Sequence, residues 1–154
     1  MALTSEGAFQ LLTFIAAPAL LTNASSVLVL STSNRFARAV DRARALEAMP
    51  DTPEHERALF RVARRALLLN RALTAFYVAV ASFATGTFSE LLGGGIATLV
   101  KAEIAPVITE LGLFVATVGT IAIAAGATFL VRETWDAYAG LREEARDLLH
   151  GKMP

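Results

Sequence analysis

Asn34, Arg38 and Asp41 recur at helical spacing directly after an apolar run, so they fall on one face of a helix, with Arg35 and Arg42 flanking them. Arg38 and Asp41 stand close enough along that face to pair. At the inner mouth of a membrane span, such a cluster either clamps helices together or lines a conduit. Asn70 and Arg71, just before a second apolar run, are the candidates to face it. Asn23 and Ser26 carry the same polar face back into the first apolar run, with Thr22 and Ser33 along its edges. Polar groups inside a span usually face other helices or a watery cavity, because acyl chains leave donors and acceptors unpaired. Asn23 therefore serves either an interhelical hydrogen bond or a permeation path. Glu110, one turn beyond Pro106, is the acid inside the third apolar run. It invites cation binding or proton transfer, or else sits at headgroup level.

Other chemistry is poorly provided for. The chain has no cysteine, and His55 and His150 lie far apart in polar segments, so neither a metal site nor a catalytic constellation assembles. Gly93, Gly94 and Gly95 lack the Lys-Ser/Thr and strand context of a phosphate-binding loop. The expectation is a protein without enzyme activity, metal or cofactor. Fourteen Lys and Arg balance fourteen Asp and Glu, which gives no support to nucleic-acid binding.

The elements that position these residues follow from composition. Of 154 residues, 55% are apolar and only 18% charged, and the mean hydropathy is +0.52, too apolar for an ordinary soluble domain. A bilayer core about 30 Å thick needs roughly 20 apolar residues per helix. Three stretches satisfy this, residues 7–31, 72–92 and 104–131, which predicts an all-α membrane protein with three transmembrane helices in a single membrane domain. Pro18 kinks the first span, as a packing bend or a gate. The triple glycine at 93–95 is expected to break the helix before the chain returns through span three. Every basic residue from Arg35 to Arg71 lies between the first two spans, and Arg132, Arg142, Arg146 and Lys152 lie in the tail, against Lys101 alone on the other side. Retention of positive flanks in the cytoplasm then predicts an outside amino terminus and a cytoplasmic carboxyl terminus. Met1 to Glu6 lacks the basic residues of a signal peptide, so span one is expected to remain uncleaved. The composition suits a bacterial plasma membrane.

Residues 32–71 read as a cytoplasmic helical hairpin. Its first arm stops near Met49-Pro50, and Thr52 caps the second, with Pro53 at the first helical position. Phe36, Val40 and Ala43 on one arm, and Leu59, Val62 and Ala66 on the other, suit packing of the arms together or against neighbouring subunits. The outward arginines act as topology determinants and lipid-headgroup ligands, or else form an electropositive vestibule or partner-docking surface. Gly112, Gly119 and Gly126 recur every seven residues along span three, a tight packing face for span one or another subunit. In the tail, residues 132–154, Trp135, Tyr138 and Leu141 predict an amphipathic helix against the membrane or the hairpin, with both aromatics in the inner interfacial belt.

Pro18-Ala19-Leu20-Leu21, the run from Leu28 to Arg35, the pattern Asn34-Arg35-x-x-Arg38-x-x-Asp41-Arg42-x-Arg44, and the run from Arg64 to Asn70 carry a resemblance. In these the chain resembles the bacterial membrane family catalogued as domain of unknown function 2721. The resemblance implies a small prokaryotic membrane protein of about three helices and no particular activity. The physical reading gives two expectations. The first is a homo-oligomeric, ion-channel-like protein with a pore lined by span one through Asn23 and Ser26, and a basic inner mouth of Arg35, Arg38, Arg42 and Arg71. The second is a non-catalytic scaffold or accessory subunit whose hairpin docks a cytoplasmic protein partner or anionic lipid.

Overall fold

A computed structural model describes residues 5–50, 52–99 and 105–149, and among them the chain is helical without strands. The three helices are α1 (Ser5–Glu47), α2 (Pro53–Leu99) and α3 (Ala105–Leu149). Local signals set the described ends. The Met49 amide donates to the Leu46 carbonyl at 2.9 Å and closes the turn after α1. Thr52 caps α2 as expected: its Oγ1 accepts from the His55 amide at 3.2 Å, and its carbonyl accepts from Glu56 at 3.1 Å. Pro53 and Pro106 lie in first turns, where a missing amide hydrogen costs nothing. Lys101 and the ends of the chain lie outside the described residues.

Two expectations about helix limits are corrected. The triple glycine does not break α2, which runs through Gly93–Gly95 to Leu99. Each glycine costs a helix only about 1 kcal/mol, a small penalty beside leaving backbone groups unbonded in an apolar setting. The tail is not a separate amphipathic helix either, because α3 continues unbroken from Ala105 through Arg132 and Trp135 to Leu149. No proline or capping sequence interrupts it after Val131, and a lone Gly140 is too weak a breaker.

The chain divides into two compact units, and each helix contributes to both: Met1–Leu30 with Ala75–Ala124, and Ser31–Thr74 with Ala125–Pro154. In the first unit α2 presents Phe76, Ala79, Ser82 and Phe83 as a buried face. Gly112 and Gly119 of the α3 stripe meet this helix of the same chain, not span one. A β-carbon on Gly119 would stand 3.0 Å from both Phe83 Cε1 and Ser82 Cβ, and one on Gly112 would stand 3.0 Å from Ser89 Cβ. Gly86 reciprocates, since a β-carbon there would lie 3.1 Å from the Gly112 carbonyl oxygen. The absent side chains are what allow the two backbones to approach. Three hydroxyls of this unit donate within their own helices: Ser26 to the Thr22 carbonyl at 2.9 Å, Thr87 to Phe83 at 2.9 Å and Thr117 to Leu113 at 2.9 Å.

Outward faces of this unit are apolar. Val107, Leu111, Leu113, Phe114 and Ile121 on α3 are exposed, as are Tyr77, Val78 and Phe88 on α2. Among the described residues two helices are long and apolar enough to cross a membrane, α2 over His55–Gly93 and α3 over Pro106–Glu143. Only 11% of the apolar window of α3 is buried within the chain, so most of its surface needs lipid or another protein beside it.

Candidate functional site: an arginine-lined cavity

The second unit is organised around a carboxylate. Glu133 on α3 is fully buried and faces arginines from both other helices. Arg65 on α2 donates to its Oε1 through Nε at 3.0 Å and Nη2 at 2.8 Å, and Arg35 on α1 donates to Oε2. One side chain thus ties three helices through charge-assisted hydrogen bonds. A turn later on α3, Asp136 Oδ2 forms an ion pair with Arg64 Nε at 3.2 Å, without hydrogen-bond alignment. Arg61 reaches Glu143 only at 3.9 Å, and both side chains are exposed. Apolar packing supports the ions: Leu46, Leu69 and Ala72 are buried, while Phe36, Val40, Ala43, Leu59, Val62 and Ala66 are half-buried. Those six are the positions whose spacing predicts packing of the arms.

Beside Glu133 lies an open cavity of about 630 Å³. Arg35, Arg38, Arg42, Arg61 and Arg65 line it, against Glu133 and Asp136, with Leu46, Val62 and Leu141 among its apolar walls. Glu133 is taken up by Arg35 and Arg65, and Asp136 by Arg64. Arg38 and Arg42 have no acidic partner among the described residues, so the cavity carries excess positive charge. Guanidinium groups so arranged match carboxylates and phosphates, offering paired donors in a fixed fork.

Of the residues singled out by spacing, Arg35, Arg38 and Arg42 meet in this cavity. Asn34 and Asp41 are exposed, and Arg38 Nε donates to the Asn34 carbonyl at 3.2 Å rather than to Asp41. The facing residues on α2 are Arg61 and Arg65, one to three turns before the pair expected. Asn70 is exposed and its carbonyl accepts from Thr74, while Arg71 lines a separate groove. Asn23, Ser26 and Glu110 are exposed, and Gly112, Gly119 and Gly126 are buried. Sequence reasoning missed Ser25, which is buried and donates to the Leu21 carbonyl at 2.7 Å, and above all Glu133. The available signal was the stripe Glu133, Ala137 and Gly140, an acid and two small residues on one face of a helix, directly after an apolar run.

Among the described residues no cluster of His, Cys, Asp and Glu forms a metal site. The class that emerges is an all-helical protein with two helices apolar enough to span a membrane and an arginine-lined three-helix unit. More particularly, the chain belongs to the family described as "Protein of unknown function (DUF2721)", whose profile matches residues 15–143. No curated protein and no solved structure matches the chain.

Proposed function

We propose that the chain crosses a membrane three times and acts as a non-catalytic adaptor, whose arginine-lined cavity receives an acidic segment of a cytoplasmic partner protein. The observation that carries this reading is the cavity's surplus of guanidinium groups, Arg38 and Arg42 above all. Walls of Leu46, Val62 and Leu141 between the arginines favour a peptide bearing both acidic and apolar side chains over a bare ion. A third crossing by residues 7–31, within α1, rests on their uncharged, apolar sequence. The asymmetric distribution of arginine supports a cytoplasmic position for the cavity. An acidic peptide of alternating glutamate and leucine, titrated onto the protein in lipid nanodiscs, tests the reading. Its affinity is expected to fall about tenfold or more in R38A/R42A, a loss of roughly 1.4 kcal/mol, and to hold in R57A, which alters an exposed arginine outside the cavity. Equal affinity in R38A/R42A and the unaltered protein would contradict it.

A second reading, a homo-oligomeric channel with α1 lining the pore, is favoured by one observation. Asn23 is exposed on α1 and has no hydrogen-bond partner among the described residues, so a neighbouring subunit or pore water would satisfy it. This reading predicts a ring of four or more subunits by native mass spectrometry in nanodiscs, and ion flux that changes in Asn23→Leu. A monomer or dimer removes the central pore.

A further inference from the structure

We propose that the groove between Arg71 and Arg132 is a binding site for the phosphate headgroup of an anionic phospholipid, an inference that rests on the three-crossing reading. The groove, about 590 Å³, shares only Asp136 with the arginine cavity. Arg64 is held there by Asp136 at 3.2 Å. Arg71 and Arg132 have no acidic partner among the described residues, so two guanidinium groups from different helices face one groove with their charge uncompensated.

The two arginines also hold a common position in the sequence. Arg71 is the last charged residue before the uncharged stretch 72–89 of α2, and Arg132 is the first after the uncharged stretch 111–131 of α3. Two independently located membrane boundaries therefore meet in one groove, at the depth where lipid phosphates lie. The remaining walls suit the rest of the lipid. Val131, 56% exposed and on the membrane side of Arg132, adjoins the acyl chain, while Leu67 at 50% and Trp135 at 72%, about one turn to the aqueous side of the arginines, border the headgroup. A phosphodiester offers two unesterified oxygens and a single negative charge, which the paired guanidinium groups match. Free phosphate shares that chemistry, but it would leave Leu67, Val131 and Trp135 uncovered.

Trp135 is the only tryptophan in the chain, which supplies the probe. The protein is placed in vesicles of phosphatidylcholine containing either phosphatidylglycerol or phosphatidylcholine brominated near the headgroup end of its acyl chains, and quenching of Trp135 is compared. Brominated phosphatidylglycerol is expected to quench with a preference of about fivefold per arginine, from roughly 1 kcal/mol of attraction each. The preference should fall near unity in R71A/R132A and persist in R71K/R132K, which keeps the charge and guards against a folding effect. Equal quenching by the two lipids, or an unchanged preference in R71A/R132A, overturns the site. Loss of the preference on adding millimolar inorganic phosphate assigns the groove to free phosphate instead and overturns the lipid. Absence of quenching by either lipid places Trp135 away from the bilayer, and it then overturns the three-crossing reading itself.

Discussion

A buried carboxylate is tolerated when its lone pairs are taken up by donors, and Glu133 is satisfied by two guanidinium groups at once. Removing it would leave Arg35 and Arg65 facing each other without a counter-charge. Because both arginines remain more than a third exposed, water recovers part of the loss. Glu133→Ala is expected to destabilise by roughly 2–4 kcal/mol and Glu133→Gln by less, read as thermal unfolding by circular dichroism in micelles. An unaltered melting temperature in Glu133→Ala would mean that the carboxylate does not hold the unit together. The arginines that α1 brings to the cavity were legible in the sequence because Arg35, Arg38 and Arg42 repeat at helical spacing within one segment, whereas Arg61 and Arg65 of α2 were not, Asn70 and Arg71 being expected in their place. Glu133 was not, since its partners lie 68 and 98 residues away and its own neighbourhood offers only the small residues Ala137 and Gly140 on the same face, a faint signal.

Among the elements, α2 and α3 pack through glycines, and the space at each one differs. A β-carbon on Gly119 meets Phe83 and Ser82 at 3.0 Å, whereas one on Gly140 meets nothing within 4 Å. Gly119→Ala is therefore expected to cost about 1–3 kcal/mol as α2 and α3 are pushed apart, and Gly119→Leu to disrupt the first unit. Gly140→Ala should instead stabilise by about 0.5–1 kcal/mol through helix propensity alone. Thermal unfolding of the variants side by side checks this, and an equal response at the two positions would contradict the packing. The existence of three helices and the Thr52 cap were readable because those signals are local. The limits at Gly93–Gly95 and after Val131 were misread because glycine weakens a helix without ending it, and the charges after Val131 end an apolar run without ending a helix. The partner of the glycine stripe was unreadable for another reason: small residues announce a close approach without naming the helix that makes it.

For the whole molecule, the sequence makes the all-helical class and the one-sided arginine distribution plain, and family membership over residues 15–143 agrees with the resemblance of its arginine motif. The division into two compact units was not legible, because each unit is assembled from separate stretches of all three helices. The adaptor reading depends on the arginine-lined unit standing in the cytoplasm. The chain has no cysteine, so single-cysteine variants can be labelled with a membrane-impermeant maleimide without background. Ala48→Cys, in the exposed turn between α1 and α2, should react in inside-out vesicles and not in intact cells, and Lys101→Cys should react in intact cells only. Labelling of Ala48→Cys from the outside of intact cells would contradict the account and remove the cavity from the reach of any cytoplasmic partner.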